Sequence, residues 1–254
     1  MTSPLSLDFL GHSTVLVELD GVRLLTDPVT RSRVGPLRRV EPAVSHSRLH
    51  DIDAVLISHL HWDHLDVPSL KSLGRDTRIY LPAGAGTWLR GIGFSDVHEM
   101  AVGDTVEIGS LRVAGVPAVH SGFRPPLGPT ATAMGFVIDG SRSIYFAGDT
   151  ELFDGMGELP GPIDVALLPV WGWGPTLGRG LHLDPVRAAM SLRLIRPRAA
   201  VPIHWGTYWP HAMGHVYADR LVDPPAAFAE YAAELAPDVR MLPTAVGDEV
   251  ASVP

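Results

Sequence analysis

Cysteine is missing altogether from this 254-residue chain. Without it there is neither a disulfide framework nor a thiolate ligand, so any metal ion has to be held by imidazole and carboxylate. That donor set suits Zn(II), Mn(II) or Fe(II), and 12 histidines tilt the expectation toward zinc. Basic charge is scarce as well. Lys and Arg number 20 against 28 Asp and Glu, a formal charge of -8. That balance argues against a general nucleic-acid binder, which needs a basic face to neutralise phosphates, and leaves a local basic patch open. Long apolar runs are also lacking, since none approaches the ~20 residues needed to cross a bilayer. The opening MTSPLSLDFLGHS has no basic stretch followed by an apolar one, so a cytoplasmic location is expected. Peripheral contact with a membrane surface and assembly into a homo-oligomer stay open.

What is present fits a packed globular protein, with 46% hydrophobic and 19% charged residues. One domain, residues 1–254, is the default at this length. Through the first half, LSLDFL, TVLVEL, VRLLT, DAVLIS, RIYL, VHEM, TVEIG and LRVAGVPAV read as short strands separated by turn signals. Asp20-Gly21, between two of them, is a hairpin cue. The second half adds AMGFVID, SRSIYFAG, DVALLPV and AAVPIHW. Helices are fewer. Asp66 and Pro68 start one over Val67–Leu73, and a short piece is expected around Thr87–Arg90. Asp184 and Pro185 open another reaching Ile195, and a last one spans Pro225–Leu235. Asp27 to Asp51, rich in Arg, Pro and Ser, reads as a long loop. Two strand-rich halves, each with helices that need a sheet to pack on, predict two sheets sandwiched between helical layers, an α/β fold.

The chemistry concentrates in SHLHWDH, Ser58 to His64. In extended backbone the two-residue spacing of His59 and His61 aims both rings to one side, where they can share an ion. Asp63 and His64 lie just beyond and can face a second position. Burying such a group without a metal would demand an unusual hydrogen-bond network. Three more metal-competent side chains follow apolar runs: His120 after VAGVPAV, Asp149 after SIYFAG, and His204 after AAVPI.

In that order, ISHLHWDHLD, PAVHSG, YFAGDT and VPIHWGT resemble the metallo-β-lactamase fold superfamily of dinuclear metallohydrolases. FLGHSTVLVELDGVRLLTDPV, HLDP and IHWGT are similar to the branch of N-acyl phosphatidylethanolamine phospholipase D and ascorbate-6-phosphate lactonase type proteins. The resemblance implies a four-layer αββα sandwich. It implies one metal on His59, His61 and His120, a second on Asp63, His64 and His204, and Asp149 bridging them. Two Zn(II) ions would then share a water that attacks an ester or phosphodiester, with Asp63 orienting it. Zinc-dependent hydrolysis of a small phosphodiester or related ester is the leading expectation. A lactonase acting on a phosphorylated cyclic ester and a non-catalytic metal-binding protein are the alternatives.

Around this constellation several residues carry two readings. Asp27 before Pro28 is either a turn carboxylate or an acceptor that fixes a ligand imidazole's tautomer. His12, in GHST, is a hairpin-end residue or lines the site. His182 is a local residue before a helix cap or, by resemblance, a donor to substrate, and it counts with Asp63 and Asp149 among the expected catalytic groups. Trp171, Trp173 and Trp205 are core lids or an apolar wall for an acyl chain or ring. Arg31, Arg33, Arg38 and Arg39 form a solvated loop or recognise an anion. His46, His50, His98, His211 and His215 are expected at the surface or in structural roles.

Overall fold

The computed structural model describes residues 5–171, 182–213, 221–242 and 244–250. Eight strands come first: β1 (Ser6–Gly11), β2 (Thr14–Leu19), β3 (Val22–Thr26), β4 (Arg33–Val34), β5 (Leu37–Arg39), β6 (Ala54–Leu56), β7 (Ile79–Pro82) and β8 (Val97–Met100). Eight more follow: β9 (Thr105–Ile108), β10 (Leu111–Pro117), β11 (Met134–Asp139), β12 (Ser143–Phe146), β13 (Val165–Pro169), β14 (Ala199–Ile203), β15 (Tyr208–Pro210) and β16 (Arg240–Met241). The α-helices are α1 (Val67–Leu73), α2 (Gly86–Gly91), α3 (Pro185–Ile195) and α4 (Pro224–Leu235).

One sheet runs β1-β2-β3-β6-β7-β8 and the other β16-β14-β13-β12-β11-β10-β9. Alternation along each strand decides what faces what. In β2, Val15, Val17 and Leu19 meet Phe136, Ile144, Val165 and Val201 of the other sheet in one buried cluster. Leu16, between them, faces outward with Leu25, Val55 and Ile57 onto Leu70 of α1 and Leu89 of α2. Behind the second sheet, Tyr145, Ala166 and Leu168 pack on Ala188 and Leu192 of α3 and Phe228 of α4. The layers are therefore helix, sheet, sheet, helix, as the resemblance implies.

The local signals act as expected. Asp20 and Gly21 both take positive φ, 51° and 81°, the two-residue turn that right-twisted hairpins favour. Asp66 caps α1 by accepting from Ser69 N, and Asp184 caps α3 by accepting from Arg187 N. The stretch expected as one long loop is different. Its β4 and β5 form a hairpin that pairs with β15 in a separate three-stranded sheet. Strands of two and three residues are too short for alternation to show in a sequence.

The pairings also fix direction. β3 and β6 are parallel, as are β12, β13 and β14, while the antiparallel steps β1-β2-β3 and β10-β11-β12 bring β1 and β10 into line with their sheets. The ends of β1, β3, β6, β10, β12 and β14 thus lead to His12, Asp27, His59, His120, Asp149 and His204.

Candidate metal centre

Past β6 the chain turns sharply. His64 N and Leu65 N both donate to the His61 carbonyl, at 3.1 and 2.8 Å, which delivers Asp66 to the cap of α1. Arg31 forks the Asp66 carboxylate from the other side at 2.8 and 2.6 Å, anchoring the foot of the loop.

Within this loop His61 Nδ1 stands 3.0 Å from His59 Nε2 and 3.1 Å from His120 Nε2. A ring nitrogen has one proton or one lone pair, so two short contacts at one atom are poorly explained by hydrogen bonding. Three nitrogens around a tetrahedral ion with bonds of about 2.0–2.1 Å would lie roughly 3.3 Å apart. A second group, His12, Asp63, His64 and His204, offers ligand atoms that all lie within 4.8 Å of one another.

Asp149 lies between the two groups. Its Oδ2 is 3.2 Å from His64 Nε2 and 3.9 Å from His120 Nε2, and its Oδ1 is 3.3 Å from His204 Nε2. Oδ1 is buried and accepts no hydrogen bond among the described residues. A buried anionic oxygen without a donor is costly unless something else meets it. Donor types and spacing therefore fit a pair of divalent ions that prefer nitrogen and oxygen.

The outer contacts orient these rings. Asp27 Oδ2 is 2.7 Å from His64 Nδ1, and Ser58 steadies that carboxylate through its N–H at 2.7 Å and its hydroxyl at 2.6 Å. Asp27 thus faces the His64 ring. His204 Nδ1 faces the Trp171 carbonyl at 3.2 Å. A carbonyl can only accept, so Nδ1 donates there and Nε2 is the atom turned to the centre. His12 Nε2 is 3.0 Å from Asp63 Oδ2, so the hairpin-end histidine enters the site. His182 Nε2 is 3.0 Å from Asp149 Oδ2.

Backbone strain gathers at the same place. His12, Asp27 and His204 all adopt positive φ, at 56°, 34° and 60°, a region that side chains other than glycine enter mainly where surroundings over-determine them. The surroundings here are Thr207 Oγ1, which accepts from His12 N at 2.7 Å, and the His12 carbonyl, which accepts from His204 N at 2.7 Å. Gly148, with φ +60°, passes so close to Ser58 that a Cβ would lie 2.6 Å from the Ser58 Cβ.

Electrostatics divides the histidines. Burial, helped by neighbouring imidazoles, pushes His12 down to about 3 and holds His59 well below the ordinary value. Burial also lowers His61. Burial opposes a charge on His64 too, but the Asp149 and Asp27 carboxylates outweigh it and hold His64 well above the usual range. Asp149 likewise outweighs burial at His182 and raises it. Asp149 itself is held well below the carboxylate range, because His204, His64 and His182 outweigh its burial. Asp149 thus favours the protonated forms of His64 and His182.

The aromatic candidates separate. Trp171 is 6% exposed and stacks on Trp209 at 5.8 Å. Trp205 donates to the Pro202 carbonyl, stacks on Phe9 at 5.9 Å and packs against the inter-sheet core, which is the lid reading. Trp173 and His215 lie outside the described residues. Of the arginines, Arg39 is buried against the Leu10 and Pro42 carbonyls, while Arg33 and Arg38 are exposed. His50 and His98 pair with Asp51 and Asp96 away from the centre, and His211 is exposed. Ser58, Thr207 and Gly148 were missed by sequence reasoning. Only the place of Ser58 and Gly148 beside His59 and Asp149 could have marked them.

Comparison with known proteins fits this geometry. The beta-lactamase superfamily domain matches residues 22–205. An N-acyl-phosphatidylethanolamine-hydrolyzing phospholipase D 1 of Caenorhabditis elegans is 34% identical over 79% of this chain and 63% of its own. A protein of Methanopyrus kandleri named a metal-dependent hydrolase is 35% identical over 80% of this chain and 84% of its own. The chain spans about 62% of the length of the first curated relatives it matches. Among solved structures, a metallo hydrolase from the archaeon Ignicoccus hospitalis shares the fold, with TM-score 0.75 and 23% identity over 98% of each chain.

Proposed function

The chain belongs to the metallo-β-lactamase superfamily, and from that premise we propose that it is a metal-dependent hydrolase working with two zinc ions on a phosphodiester or a related ester. The observation that carries the reading is Asp149. Its two oxygens reach both histidine groups, and one of them accepts no hydrogen bond among the described residues. His59, His61 and His120 would hold one ion, and Asp63, His64 and His204 the other, with Asp149 shared. Mn(II) or Fe(II) would suit the same donors. The phosphodiester preference draws on the name of the Caenorhabditis elegans relative.

When bound, the ions supply Lewis acidity, lowering the pKa of water and drawing off negative charge from the attacked centre. The chain's own groups do the rest. Asp63, steadied by His12, orients the attacking water and passes its proton to the leaving group. His182 Nε2 is 3.0 Å from Asp149 Oδ2, which leaves Nδ1, buried with no hydrogen-bond partner among the described residues, as the ring atom for a phosphoryl oxygen or developing oxyanion. Asp27 and the Trp171 carbonyl keep His64 and His204 in the tautomers that face inward.

Metal analysis together with turnover of bis-p-nitrophenyl phosphate tests the reading. The expected result is about two zinc per chain with hydrolysis. Asp149→Ala should lose both metals and activity, and His182→Ala should keep the metals and turn over more slowly. A metal-loaded chain inert on phosphodiesters but active on a lactone would move the substrate class. Metal-free protein that takes up no zinc and is inert on phosphodiester, ester and lactone panels would end the hydrolase reading.

A further inference from the structure

We propose that Arg124 is a positioning residue that sets the distance between the two loops bearing His59, His61 and His120, and so holds the spacing those imidazoles need for an ion. The proposal rests on the reading of that trio as metal ligands. One guanidinium nitrogen, Nη1, donates to the Leu60 carbonyl at 2.7 Å and to the Leu65 carbonyl at 2.9 Å. Leu60 and Leu65 are fully buried, and His61, Asp63 and His64 lie between them in the chain. The cation thus grips both ends of the segment that turns the ligands inward.

At its other end Arg124 belongs to the loop that begins at His120, four residues earlier. That loop is closed on itself. Arg124 N donates to the Pro129 carbonyl at 3.0 Å, Gly128 N returns to the Arg124 carbonyl at 2.9 Å, and Phe123 bridges Thr130. Glycines allow the closure: a Cβ on Gly128 would lie 2.7 Å from the Arg124 Cβ, and one on Gly122 would lie 1.5 Å from the Ala131 carbonyl oxygen. The guanidinium carbon lies 5.0 Å from the centroid of the Trp88 ring of α2, within reach of a cation–π contact. A side chain with a rigid plane, its root in a closed loop and its tip on two buried carbonyls acts as a strut. Lysine offers a point charge on a flexible stem and no face for Trp88.

Zinc affinity decides the matter, measured by competition with a chromophoric chelator on the full chain and on Arg124→Met and Arg124→Lys. Thermal melting of each metal-free protein is followed in parallel. Arg124→Met should weaken one of the two zinc-binding steps about tenfold or more, the scale of lost ligand support, with a cooperative metal-free melt retained. Arg124→Lys should recover part of that loss. If both steps stay within about twofold of the parent, or the melt falls while affinity holds, Arg124 serves the fold alone and the proposal is overturned. Should Arg124→Met fail to fold, Arg124→Lys decides by the same affinity criterion. A parent that binds no zinc removes the metal reading and this one with it, whereas a zinc-binding parent with indifferent variants removes only the role of Arg124.

Discussion

His12 Nε2 stands 3.0 Å from Asp63 Oδ2, at the meeting of the β1–β2 corner and the ligand loop. Burial and the neighbouring His204 push His12 down to about 3, so at neutral pH the ring carries a single N–H. Pointing that N–H at Asp63 fixes the carboxylate's orientation. His12→Asn keeps a residue type that tolerates positive φ but withdraws the ring. We expect the metals to stay and turnover to fall roughly 10- to 100-fold, as for other supporting groups. Metal content and kcat measured on the same preparation check this. Loss of zinc would instead place His12 among the ligands.

The metal-free chain should be most stable near the ordinary histidine pKa. His12, His59 and His61 are held below that value, whereas in the unfolded chain they take up protons at about 6.5. As pH falls below that point the unfolded state binds more protons, and stability drops. His64 and His182 are held above their ordinary value. Their contribution is complete below about 6.5 and is lost as pH rises through the raised values. Urea unfolding of chelator-treated protein from about pH 5 to 8 should therefore show a maximum, and a steady rise across that range would contradict the division. Zinc should move the alkaline side, because ligation displaces the His64 proton.

Gly148→Ala should damage fold and site together. Its φ of +60° and the 2.6 Å approach of a new Cβ to Ser58 would force apart β12's end and the start of the ligand loop. A cost of about 1–3 kcal/mol is expected from the backbone alone, read from denaturant unfolding without metal. Zinc affinity should fall as well, because Asp149 follows directly in the chain. Unchanged stability would mean that the two corners are looser than their contacts indicate.

Much of the architecture was legible because its signals are local. The starts of α1 and α3 follow from Asp66 with Pro68 and from Asp184 with Pro185, and the apolar run in TVLVEL gives β2. The candidate ligands were legible for a similar reason, each standing where an apolar run stops. The supporting shell was not. Ser58 meets Asp27, Thr207 meets His12, and the Trp171 carbonyl meets His204, through contacts between residues far apart in the chain that no periodicity encodes. The β4–β5 hairpin escaped for the opposite reason, its strands being too short to carry a period. Trp205 shows the remaining limit: an aromatic at a strand end reads the same from sequence whether it faces substrate or core.

The bond from His204 N to the His12 carbonyl joins the first corner of the chain to the end of β14, and it implies an order of events in time. Contacts so remote in sequence form late, after shorter loops have closed. A growing chain that has not yet delivered residue 204 holds SHLHWDH with His120 and Asp149 but without His204. On the proposed metal reading, the donor group that includes His204 is completed only then, so its loading would be a step of maturation rather than the nucleus around which the protein gathers.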